Sequence, residues 1–140
     1  MRFLDSSVFL HAYLIPRREL KPSEEELKRR AKTIMSKVDS RAEEVLITAV
    51  HVCRMLGIIE SRLGLQASLG VLARMLSLPN IKIVDVTKED YEEALATASQ
   101  YSVSANIALA YAETLEHDIN EIYTFDKHYR NLPGIKVIQE

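Results

Sequence analysis

The sequence predicts an α/β fold in which a parallel sheet of about four to five strands is flanked by helices. Three observations carry that expectation. Short apolar runs at Arg2 to Leu4, Val45 to Ile47, Ile81 to Val86, Glu121 to Asp126 and Ile135 to Ile138 have the length and the apolar content of buried strands. The segments between most of them place apolar residues at helical spacing and are long enough to cross over a sheet, as parallel pairing requires. No Pro-, Gly- or Ser-rich stretch divides the 140 residues, so one domain over 1–140 is expected, with enough chain to bury a core.

Each element has its own local signals. After the first strand, Ser6 or Ser7 can cap a helix with Val8, Phe9, Ala12 and Tyr13 on its inner side, and Pro16 ends it. A second helix is expected after Pro22-Ser23, because Ser23 followed by Glu26 forms a capping box and Glu24 and Glu25 suit the positive end of the dipole. Leu27, Ala31, Ile34, Met35 and Val38 form its inner stripe, with Lys28, Arg29, Arg30, Lys32 and Lys37 facing outward. Thr48 can cap a long helix that stops at Gly64, and Leu65 to Leu78 reads as another amphipathic helix closed by Pro79-Asn80. Thr87, followed by Glu89 and Asp90, opens the next helix, and Ser104 caps one that runs to about His117.

Composition narrows the function. With 18 basic and 20 acidic residues, the formal charge of −2 gives no broad cationic face for unspecific nucleic-acid binding and no DNA-specific signal. The outward basic cluster between Lys28 and Lys37 reads as a solvated face, with an RNA-backbone or partner contact as its functional counterpart. A single cysteine forms no internal disulfide, and no cleavable signal or membrane-length apolar span is present, so a cytoplasmic protein is expected. Cys53, in an apolar helical run, reads as a small core residue. His11, His51, His117 and His128 show no metal-binding spacing, although His11 and His128 follow strand ends closely enough to line a cleft. No Walker loop, GxGxxG or Ser-His-Asp order is present.

Two strand-ending aspartates carry the chemistry. Phe3-Leu4-Asp5-Ser6-Ser7-Val8-Phe9 and Asn120-Glu121-Ile122-Tyr123-Thr124-Phe125-Asp126-Lys127, continuing to Leu132-Pro133-Gly134-Ile135, resemble the opening and closing segments of a PIN domain of the VapC toxin type. Ile47 to Leu56 resembles the helix that carries a Glu in that family, and Val103 to Tyr111 resembles the helix that opens Asn-Asp-Ala. In this register Arg54 stands at the Glu position and Ile107 at the Asp position.

The resemblance implies an ancestral ribonuclease using Mg²⁺ or Mn²⁺, an antitoxin-like partner and a homodimer. It also implies that Asp5 and Asp126 are the retained acids and metal ligands, if a metal binds at all. Ser7 and Thr124 are expected nearby as hydroxyl partners, with Asn106 as a neutral oxygen donor. Mg²⁺ needs hard oxygen ligands, and Arg54 and Ile107 supply none. A degenerate PIN domain that binds RNA or protein is therefore expected, with weak or no cleavage and without a cofactor. The alternative is an active Mg²⁺-dependent ribonuclease of a toxin–antitoxin system using Asp5, Asp126 and a relocated acid, Glu113 or Glu60. Arg54 is the one formal charge between Ala49 and Ile59, which predicts a guanidinium paired with Asp5, Asp126 or both, the alternative being one that snorkels into an open cleft and contacts RNA phosphate. Ile107 is expected to plug the pocket. The stripe Leu65, Leu69, Leu72, Met75 and Leu76 exceeds what a small core needs and predicts helix-mediated dimerisation.

Overall fold

A computed structural model describes residues 1–140. Strand β1 (Arg2–Leu4) leads into α1 (Ser6–Tyr13) and α2 (Pro22–Asp39), then β2 (Val45–Thr48) into α3 (Ala49–Leu63) and α4 (Leu65–Ser77). Strand β3 (Ile81–Val84) is followed by α5 (Lys88–Tyr101) and α6 (Ala105–Glu116), and β4 (Glu121–Tyr123) by a 3₁₀ turn (Lys127–Asn131) and β5 (Lys136–Ile138). All strand pairs are parallel and the order is β3-β2-β1-β4-β5, so β1 is central.

The period-two alternation of strand side chains divides the core between the two faces of the sheet. Leu4, Val45, Ile47 and Tyr123 join Val8, Phe9, Ala31, Ile34, Val38, Met55 and Ile59 under α1 to α4. Phe3, Leu46 and Ile122 join Ile107, Ala110, Tyr111, Tyr129 and Leu132 under α6 and the 3₁₀ turn. The chain leaves β1 toward β2 on one side and returns as β4 on the other. A crevice must open beyond the carboxyl ends of β1 and β4, where the connections diverge.

Several termini differ from the expectation. Asp5, not Ser6 or Ser7, is the N-cap of α1, and its carboxylate accepts from Ser7 N at 3.2 Å. Helix α2 starts at Pro22, with Lys21 as N-cap instead of Ser23, because proline suits the first helical position and Glu24 Oε1 accepts from Lys21 N at 3.4 Å. Thr48, Thr87 and Ser104 cap as expected, and Gly64, at φ 94°, makes the break between α3 and α4. The basic residues of α2 have local work. Lys28 Nζ donates to the carbonyls of His11, Ala12 and Leu14 at the end of α1, and Arg29 and Arg30 bond Glu26. No helix is long and apolar enough to cross a membrane.

Candidate functional site

At the carboxyl ends of β1 and β4 lies a cleft of about 410 Å³. Asp5 and Asp126 are its two carboxylates and Arg54 is its one guanidinium, with Ser7, Ser104, Asn106, Ile107, His128 and Tyr129 also in its walls.

Asp5 is buried and held from three directions. Its Oδ1 accepts from the Tyr129 hydroxyl at 2.9 Å, and its Oδ2 accepts from Thr124 Oγ1 at 2.9 Å and from Ser7 N. The proton directions follow from the donor inventory. Thr124 Oγ1 accepts from Asp126 N at 3.0 Å, and its own hydrogen goes to the Asp5 carboxylate. At its 3.2 Å contact with Ser7 Oγ, Thr124 therefore accepts and Ser7 donates. Ser7 Oγ in turn accepts from Phe125 N at 3.1 Å. This closed network stitches the end of β1 to the end of β4 and fixes the Asp5 rotamer.

Asp126 sits more openly. Its Oδ1 accepts from His128 N at 2.9 Å and from His128 Nδ1 at 2.8 Å, which places a proton on that ring nitrogen. Its Oδ2 has no protein partner. Burial and the carboxylates of Asp5 and Asp126 push the Tyr129 phenol well above its ordinary range, so Tyr129 is a permanent donor to Asp5.

Arg54 departs from the expectation. It is exposed and forms no ion pair, so it is not the buried partner of Asp5 or Asp126. The physical reason is the shape of α3. His51, Val52, Met55 and Ile59 form its buried stripe, while Cys53, Arg54, Gly57 and Glu60 face outward. Small side chains on that outer face made the helix read as apolar all round, and Cys53 is likewise exposed instead of core. Arg54 still acts on the cleft through its charge, opposing protonation of His51 and favouring ionisation of Tyr129.

Ile107, the third residue of α6, is buried at 6% exposure against Ala110, Tyr111 and Tyr129, and its face lines the cleft. Asn106 lies beside it, and its backbone carbonyl accepts from His51 Nε2 at 2.9 Å. Glu113 and Glu60 do not line the cleft. His11 packs edge-on against Phe125, their ring centres 5.3 Å apart, just outside it. The Tyr129 hydrogen bond and the His51 clasp were not anticipated; the spacing Asp126-x-x-Tyr129 is their one trace in the sequence.

The PIN domain family model matches residues 2–135. The chain belongs to the PIN domain family. Among solved structures, the Mycobacterium tuberculosis toxin VapC20, described as Sarcin-Ricin loop cleaving, matches with a TM-score of 0.71 and 19% identity over 93% of each chain. A toxin–antitoxin complex from Klebsiella pneumoniae matches with a TM-score of 0.65 and 13% identity, covering 97% of this chain and 96% of that one. No curated protein matches the sequence. At these identities the structural likeness speaks for the fold, and the PIN architecture with its parallel sheet agrees with the sequence expectation.

Proposed function

We propose that this PIN domain is a VapC-like protein with a degenerate metal site and weak or no RNA cleavage, and that it acts by binding RNA. The observation that carries this reading is the lining of one cleft by Arg54 and Ile107 together with Asp5 and Asp126. The donor set does not suit a resident Mg²⁺ or Mn²⁺. A fixed guanidinium charge opposes a divalent cation, Ile107 offers no lone pair, and both oxygens of Asp5 already hold protein donors.

The same residues suit an anion at the rim. Arg54 is exposed without a carboxylate partner, and the start of α6 at Ser104 and Asn106 lines the same cleft, so an RNA phosphate is the ligand of matching charge. The Klebsiella neighbour is a toxin–antitoxin complex, which supports an antitoxin-like protein as the second class of partner.

Calorimetry and an RNA-cleavage assay on the untagged chain test the reading. The expected result is no Mn²⁺ binding that Asp5→Asn removes, no metal-dependent cleavage, and RNA binding that Arg54→Ala weakens. Cleavage that requires Mn²⁺ and is lost in Asp5→Asn would establish the alternative, an active ribonuclease.

A further inference from the structure

We propose that an RNA strand held at the cleft runs on from it, as a single strand, through a second groove walled by α1, α2 and the end of α3. The inference rests on the RNA-binding reading above and adds the path of the strand. A groove of about 190 Å³, walled by Leu14, Leu20, Lys28 and Arg62, begins at Leu10, which also lines the cleft. Leu20 and Lys28 are shared in turn with a third hollow of about 250 Å³ on the side of α2, where Lys32 stands. Each hollow therefore borders the next.

Charge selects the occupant. Arg62 and Lys32 are exposed and form no ion pair. Lys28 meets no carboxylate either, because its Nζ is fixed on the carbonyls at the end of α1. Burial and the neighbouring Lys32 charge lower the Lys28 pKa, as expected of two cations close together with no anion between them. Glu24 is taken by Arg18 at 2.7 Å, which leaves Glu25 as the one unpaired acid in the two outer hollows. Two concavities elsewhere, of about 330 and 530 Å³, are acidic, the first lined by Glu43, Glu44 and Glu121 and the second by Asp90, Glu93 and Glu116. In a chain of net charge −2, unpaired cations are thus gathered on the path that opens into the cleft, and a polyanion is the ligand that matches.

Spacing and apolar surface narrow the polyanion to a single strand. Arg54 and Arg62, eight residues apart on α3, are separated by about 12 Å along its axis, so one phosphate does not meet both while successive phosphates of a strand do. Leu10, Leu14 and Leu20 give the middle groove an apolar floor that suits the face of an unstacked base. A duplex keeps its bases stacked inside and leaves that floor unused.

Fluorescence anisotropy in EDTA, with a labelled mixed-sequence RNA of about twelve nucleotides as a single strand and annealed to its complement, tests the path. Arg62→Ala and Lys32→Ala should each weaken the single strand about fivefold at 0.1 M salt and flatten the log–log salt dependence by about 0.7, the share of one phosphate contact. Both side chains are exposed and unpaired, so Tm should stay near the parent's. Lys82→Ala, an exposed lysine away from the path, should bind as the parent does, and the duplex should bind more weakly than the strand. Binding that Arg54→Ala weakens but Arg62→Ala and Lys32→Ala do not overturns the path and leaves the cleft reading standing, whereas no RNA binding by the parent removes both. An equal loss in Lys82→Ala, or a duplex bound as tightly as the strand, also overturns the path. If the two variants weaken an oligoglutamate peptide and leave RNA affinity unchanged, the groove belongs to a protein segment and the proposal falls.

Discussion

Tyr129 keeps its proton because burial and two carboxylates hold it there, so Asp5 has a phenol donor as a fixed part of its environment. Tyr129→Phe would leave the ring in the core but remove the donor from a buried carboxylate. A loss of about 1–3 kcal/mol in urea unfolding is expected, and a change within measurement error would show that water replaces the phenol. At Arg54 and Ile107 the complementary experiment adds carboxylates. Arg54→Glu with Ile107→Asp should create a Mn²⁺ site, because two new acids facing Asp5 and Asp126 repel until a divalent cation joins them. A folded double variant with no calorimetric gain in Mn²⁺ affinity would count against the proposal that these two positions make the metal site degenerate. The residue scale is where the sequence was least legible. That Asp5 and Asp126 share a cleft follows from each standing just beyond a parallel strand. That Arg54 is free, and that Tyr129 reaches Asp5, depends on helix rotation and turn geometry that residue spacing does not specify.

Helix α3 is joined to α6 by His51, and this contact is where pH should act. His51 is 1% exposed, with Nε2 donating to the Asn106 carbonyl and Nδ1 accepting from the Thr48 hydroxyl at 2.6 Å. Burial, only partly opposed by the Asp5 charge, holds its pKa below the ordinary histidine value. The unfolded chain therefore takes up the proton first as pH falls. Stability should be complete above the unfolded value of about 6.5 and decline as pH drops toward the lower folded value. His11, also lowered by burial and by Lys28, adds to the same decline. Thermal melts from neutral to mildly acidic pH should show a shallower slope in His51→Gln, which keeps a donor for Asn106 but does not titrate. An unchanged slope would assign the pH dependence elsewhere. Elements were well read from the sequence where their signals are local. Thr48, Thr87, Ser104 and Gly64 act on backbone groups within a turn of themselves. Ser23 failed as a cap because Pro22 next to it is preorganised for the first helical position. β3 and β4 ended earlier than their apolar runs suggested, since pairing stops where the partner strands turn away toward the cleft.

At the scale of the whole molecule, α4 carries the largest group of exposed leucines. Leu65, Leu69 and Leu76 are 53%, 49% and 67% exposed, while Met75, expected in the same stripe, is buried in the core. Leu63 at the end of α3 extends the apolar surface. A homodimer packed through this face is the expected assembly, with Leu69→Glu and Leu76→Glu giving a folded monomer. Sedimentation of the parent as a monomer at high micromolar concentration would remove that expectation. Helix-separated apolar runs were enough to anticipate the parallel sheet, because period-two burial and crossover length are properties of the chain itself. The strand order was not anticipated, since nothing local to β1 says that its second neighbour is β4.

That order also sets a timetable for synthesis. Phe3 and Leu4 leave the ribosome long before Ile122 and Tyr123, which pair with them. β2 can join from the other side long before. In the interval the central strand of the finished sheet is an edge strand, with a row of unsatisfied N–H and C=O groups that any extended segment of another nascent chain can occupy. The carboxylate of Asp5 likewise waits for Thr124 and Tyr129, so a ribosome stalled before β4 would display an unpaired acid on an open sheet edge.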